Sequence, residues 1–144
     1  MVVKGIDFVF KSLSKDGEQI KRDIATETEA IAREIEAMAK MSAPYDLGDL
    51  RQSILAVKQT EYLWNIEAGG IKAPYAPYME FGTGDKVDVP QELKEIAIQF
   101  IGKGIKKINL KPQPYLYPSL LRGRKQYLEN LKKTLSKYGP VKSK

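Results

Sequence analysis

The groups able to do chemistry in this chain are carboxylates, hydroxyls and amines, because its 144 residues include no His and no Cys. That composition removes thiolate and imidazole metal sites and any disulfide framework. It also removes Ser–His and Cys–His nucleophile pairs, which need an imidazole base. What remains is a set of acids: Asp46 and Asp49 spaced three apart around Gly48, Asp85 and Asp88 spaced three apart after Gly84, and Glu80. Such oxygen donors suit Mg²⁺ or Ca²⁺. Neither pair has the ordered spacing of a calcium loop, and acids beside glycines are ordinary turn and cap residues. Gly82-Thr83-Gly84 lacks the Gly-x-x-x-x-Gly-Lys context of a phosphate cradle, and it reads as a tight turn. No catalytic, metal-ligating or cofactor-binding residue is assigned. The chain is read as a non-enzyme with no cofactor.

Charge divides the chain more sharply than its net of +6 suggests. Residues 1–100 carry 12 Lys/Arg against 17 Asp/Glu, a net of −5. Residues 101–144 carry 12 Lys/Arg against the single acid Glu129, a net of +11. Arg122, Arg124, Lys125, Lys132 and Lys133 are therefore candidate contacts to an anionic partner. With Tyr115, Tyr117 and Tyr127 nearby, that partner could be nucleic acid, held by phosphate contacts and stacking. It could equally be the acidic face of a neighbouring subunit, since charge alone does not separate phosphate from carboxylate.

These groups need elements to hold them. In residues 1–15, Ile6, Phe8 and Phe10 alternate with Asp7, Val9 and Lys11, and the stretch reads as a short extended arm without the features of a signal peptide. From about 17 to 41, Ile20, Ile24, Ile31, Ile35 and Met38 recur at helical spacing, with Asp16 as a cap and Pro44 as the stop. Pro44 to Asp49 is a turn-rich connector. Ser53–Gln59 and Tyr62–Ala68 are two strands of an antiparallel hairpin ended by Gly69-Gly70. Residues 73–84, rich in Pro, Gly and aromatics, form a shaped non-strand segment. A helix opens at Asp88-Val89-Pro90-Gln91, with Leu93, Ile96, Ala97, Phe100 and Ile101 at helical spacing. A last helix runs from about Pro118 to Gly139, with Leu121, Leu128 and Leu135 on its apolar stripe beside Leu131 and Tyr138. No stretch approaches the roughly 20 apolar residues that span a bilayer. The fold class is α+β: a long N-terminal helix and a C-terminal helix packed on a small antiparallel β-sheet. The whole of 1–144 is one domain, with an arm (1–15), an insertion bearing a short helix (84–111) and a flexible tail (139–144).

Three segments carry a resemblance. Ala43-Pro44-Tyr45-Asp46-Leu47-Gly48-Asp49-Leu50-Arg51-Gln52-Ser53-Ile54 resembles the Ala-Pro-x-Asp-Thr-Gly-x-Leu-Arg-x-Ser-Ile segment of a phage tail-component family. That family comprises neck, head–tail joining and tail-completion proteins of lambda-like siphophages. Tyr75-Ala76-Pro77-Tyr78-Met79-Glu80-Phe81-Gly82-Thr83 is similar to its Tyr-Ala-x-Tyr-Val-Glu-Phe-Gly-Thr segment. Gln113-Pro114-Tyr115-Leu116-Tyr117-Pro118-Ser119-Leu120 is similar to its Gln-Pro-Phe-Leu-x-Pro-Ala-Leu segment. Leu47 stands where the family usually has threonine, and Ser119 where it usually has alanine.

The resemblance implies a small virion subunit, made in the bacterial cytoplasm, that assembles as a homo-oligomeric ring at the head–tail junction or tail end. Its partners would be neck, head-closure or tail proteins, with no membrane. A tail-terminator role in the same particle, or a basic DNA-contacting role, is the alternative. Pro44, Asp46, Gly48, Leu50, Tyr75, Tyr78, Glu80, Phe81, Gly82, Thr83, Pro114, Tyr115 and Pro118 are the structural or interface candidates it points to. Within them, Glu80 is expected to bond backbone amides or a basic neighbour. Gly82 is expected to supply a backbone conformation that a Cβ would hinder.

Overall fold

The computed structural model describes residues 2–4, 17–44, 48–83, 88–97 and 110–138. The elements in chain order are β1 (Val2–Lys4), α1 (Gly17–Ser42), α2 (Gly48–Ser53), β2 (Leu55–Thr60), β3 (Leu63–Glu67), α3 (Ala76–Phe81), a 3₁₀ turn (Gln91–Leu93), α4 (Lys94–Ala97) and α5 (Leu116–Ser136). The fold is α+β and mostly helical.

Helix α1 follows from its apolar spacing. Ile20, Ile24, Thr28, Ile31, Ile35 and Ala39 are buried along one face, and Glu18 and Lys40 sit at the ends that the helix dipole favours for their charges. The helix stops at Ser42, two residues before Pro44. Strands β2 and β3 pair antiparallel, and β1 adds to the free side of β3, giving the order β1-β3-β2. A register irregularity between Lys58 and Thr60 bends the end of β2 into its turn. Trp64 and Ile66 alternate inward on β3 and meet α1. Gly69 and Gly70, both at positive φ, then turn the chain away.

Helix α5 lies across α1. Its buried residues are Ser119, Gly123, Tyr127, Leu131 and Thr134, with Leu116, Leu120, Leu135 and Tyr138 partly buried around them. This corrects the expected stripe: Leu121 and Leu128 are 43% and 47% exposed. The reason is Gly123. Without a side chain it lets the two helices approach closely, and a Cβ there would come within 2.1 Å of Ile35 Cγ1. The contact line of α5 therefore runs through its small residues rather than its leucines. Tyr127 hydroxyl and Thr28 Oγ1 lie 2.8 Å apart at the same interface. Thr28 Oγ1 donates to the Ile24 carbonyl at 2.7 Å, which leaves it to accept from Tyr127. Burial pushes the Tyr127 phenol up, partly offset by that bond.

One further expectation is corrected and two are refined. The connector after Pro44 contains a helix, α2, whose Leu50 is fully buried; Ser53 belongs to it rather than to β2. Its hydroxyl donates to the Leu50 carbonyl at 2.6 Å and accepts the Gly69 amide at 3.0 Å. The segment 73–84 contains α3, with Pro77 in its first turn, where the missing N–H costs nothing. The helix expected from Asp88 begins as a 3₁₀ turn and is described only to Ala97. Ile6, Phe8, Phe10, Asp16, Phe100, Ile101 and the tail 139–144 lie outside the described residues.

Candidate functional site

Helix α3 and the chain leading into α5 form a clip. Glu80, 6% exposed, extends from α3 to the N-terminus of α5. Its Oε2 accepts the Tyr115 and Leu116 amides at 2.9 and 3.0 Å, and its Oε1 accepts the Tyr117 amide at 2.8 Å. The first amides of a helix have no partner of their own, and the helix dipole favours negative charge there. Tyr115, the residue just before α5, makes no side-chain cap of its own. Glu80 supplies that cap from a distance of 35 residues in sequence.

Backbone bonds close the clip on both sides. The Gln113 amide donates to the Met79 carbonyl at 2.8 Å. The Thr83 amide donates to the Leu110 carbonyl at 3.0 Å, and the Leu110 amide donates to Thr83 Oγ1 at 2.8 Å. The chain thus leaves at Thr83 and returns at Leu110 to the same point. Gly82, at φ 79° and ψ −177°, makes the turn, a conformation nearly restricted to glycine. Tyr115 is buried, 1% exposed, with its hydroxyl 3.4 Å from the Ala76 carbonyl. Burial and the nearby Glu80 charge push its phenol well above the usual tyrosine range.

The clip gathers Tyr75, Tyr78, Glu80, Phe81, Gly82, Thr83 and Tyr115, with Pro114 exposed on its outer side and Pro118 in the first turn of α5. Leu50 of α2 is in the core cluster beneath the clip, together with Ala39, Ala43, Ala76, Met79 and Tyr115, while Pro44 is half-buried after α1 and apart from it. Gly48 is exposed at the start of α2. Asp46 and Asp85 lie outside the described residues, so neither acid pair is described. No group of three or more acids is placed to hold a metal ion among the described residues. The basic candidates Arg122, Arg124, Lys125, Lys132 and Lys133 are all exposed on α5, and none makes an ion pair among the described residues.

Two features escaped the sequence reading. A cleft of about 380 Å³ opens beside the clip, lined by Ile66, Pro77, Phe81, Leu93 and Ile96 with Glu67 at its wall. Its walls come from five separate elements, β3, α3, the 3₁₀ turn, α4 and α5, so no local pattern announces it. The tyrosine placed among stacking candidates, Tyr117, donates its hydroxyl to Glu92 Oε2 at 3.0 Å.

Residues 9–82, just over half of the chain, match the HK97-gp10-like family, described as "Bacteriophage HK97-gp10, putative tail-component". The chain belongs to this family. The matched stretch holds α1, α2, the β2–β3 hairpin and α3, and it ends at Gly82, the turn that closes the clip. Of the three segments that carry the resemblance, it includes the first whole and the second through Gly82; the third lies beyond it. Comparison with curated proteins and with solved structures gives no match. As a member of a family of structural phage tail components, the chain works with other phage structural proteins in a virion. No helix among the described residues is long and apolar enough to cross a membrane.

Proposed function

We propose that this tail component acts at the head–tail junction, as a neck or tail-completion subunit that assembles into a ring through protein–protein contacts. The observation that carries the proposal is the clip. Within a phage tail-component family, the one deeply buried carboxylate among the described residues, Glu80, fixes α3 to α5. A surface held rigid in this way binds without a large ordering cost. The candidate residues of the clip act by holding that shape, and Arg122, Arg124, Lys125, Lys132 and Lys133 act on an anionic partner surface. The chain works as one domain, with 84–111 as an insertion; the meeting of Thr83 and Leu110 supports that division.

Mass spectrometry of purified particles and micrographs of a deletion mutant test this. The expected outcome is the protein in the virion, and unjoined heads beside tails of normal length in its absence. Tails of uncontrolled length would assign it instead to tail termination. Infectious particles formed normally without the protein would refute the structural role. The exposed basic face of α5 favours a second reading, contact with DNA, and binding would then fall steeply with salt.

A further inference from the structure

We propose that the outer face of α5 docks into the cleft beside the clip of a second copy of this chain, head to tail. The proposal rests on the reading of the protein as a ring-forming subunit, and it names the two surfaces that meet. On α5, Leu121, Lys125, Leu128 and Lys132 follow one another at spacings of four, three and four, so they share one narrow stripe on the solvent side. Its two leucines are 43% and 47% exposed. The cleft is the chemical complement. Its apolar wall includes Ile96, itself 49% exposed, and Glu67 stands at its side. Glu92 and Glu95 are exposed beside Leu93 and Ile96, and among the described residues the cations near them are Lys94 and Arg124.

Charge selects the occupant and the symmetry. A DNA backbone would use Lys125 and Lys132 but leave two exposed leucines without a partner. Pairing α5 with α5 of another copy would cover the leucines but set Lys125 and Lys132 against lysines, which like-charge repulsion opposes. The acid-flanked apolar cleft satisfies both halves of the stripe. Stripe and cleft are different surfaces, so a copy docked through its stripe still offers its own cleft to the next copy, and such a heterologous, head-to-tail contact propagates into a ring or a filament, whereas a reciprocal exchange would stop at a dimer.

The absence of native cysteine allows a clean test. Leu128→Cys and Ile96→Cys are made singly and together in the full chain, at exposed positions, with thermal melts to verify folding. Each protein is concentrated and mildly oxidised, and run on a non-reducing denaturing gel. The double variant should give a ladder of dimers, trimers and larger species, with each single variant at least tenfold weaker. No ladder overturns the proposal, as does equal dimer from Leu128→Cys alone, which would mean a symmetric contact. As a second arm, Lys125→Glu with Lys132→Glu, and separately Glu67→Lys with Glu95→Lys, should each be monomeric by sedimentation. Their mixture should associate again, because each supplies the surface the other lacks; a mixture that stays monomeric refutes the pairing. DNA binding lost in Lys125→Glu/Lys132→Glu, with no self-association of the native chain, would make the stripe a nucleic-acid contact instead. Absence of the protein from purified particles would remove the junction role while leaving a ladder in solution intact. Presence in particles without a ladder removes this interface alone.

Discussion

Glu80 is the residue on which the clip depends most directly, and Glu80→Ala is expected to destabilise the protein by about 2–6 kcal/mol. The figure comes from its three acceptor contacts. The Tyr115 amide is buried, so removing its acceptor strands a donor, at about 1–3 kcal/mol. The Leu116 and Tyr117 amides are partly buried. They regain water and lose a net of roughly 0.5–1 kcal/mol each. Loss of the negative charge at the N-terminus of α5 adds about 0.3–1 kcal/mol. Glu80→Gln keeps the volume and one oxygen, which can serve the Tyr115 and Leu116 amides as Oε2 does. It loses the Tyr117 contact and the charge, so about 1–2 kcal/mol is expected. Urea unfolding with linear extrapolation measures both variants. At roughly 2–4 °C per kcal/mol, Glu80→Ala should melt about 10 °C below the native chain. Hydrogen exchange should show the Tyr115–Tyr117 amides losing protection more than those of α1. If Glu80→Ala cost less than about 1 kcal/mol, the carboxylate would not be the cap of α5 and the reasoning would fail.

The remaining expectations concern the helix pair, the turn and the sheet. Gly123→Ala should destabilise by about 1–2 kcal/mol despite alanine's better helix propensity, because its Cβ overlaps Ile35. Ile35→Ala, which removes the overlapping atoms, should make the same change far cheaper, and additive costs in a double-mutant cycle would contradict the close contact. Thr28→Val should cost about 1–3 kcal/mol by stranding the Tyr127 hydroxyl, while Thr28→Val with Tyr127→Phe should cost less than the sum of the singles in the same unfolding assay. Gly82→Ala, at φ 79°, should lower stability by about 1–3 kcal/mol. Burial raises the Glu36 carboxyl, but hydrogen bonds from Lys40 and the Ala56 amide outweigh it and leave the group below its ordinary 4.5. Its stabilisation is therefore complete above pH 4.5 and is lost as pH falls through the lowered value. Glu36→Gln should flatten that acid limb in a pH series of urea melts.

Much of this protein was legible in its residues because the signals were local. The spacing of Ile20, Ile24, Ile31 and Ile35 defines α1, and Pro44 ends it. The alternation of Trp64 and Ile66 defines β3, and the glycine pair after it ends the hairpin. The segments around Leu50, Glu80 and Tyr115 pointed to a phage tail component, and the family match over residues 9–82 agrees. The helices at Gly48–Ser53 and Ala76–Phe81 were not legible, because Pro and Gly there mark helix starts as readily as turns.

Tertiary structure decided which face of α5 is inward. Counting leucines selected Leu121 and Leu128, whereas the close approach of Gly123 to Ile35 turned both toward solvent. It also decided the partner of Glu80, since a carboxylate and three amides 35 to 37 residues apart share no local pattern. Helix periodicity depends on neighbours three and four residues away, which sequence displays directly. A cap supplied across the fold, and a cleft assembled from five elements, depend on distances that only the packed chain sets.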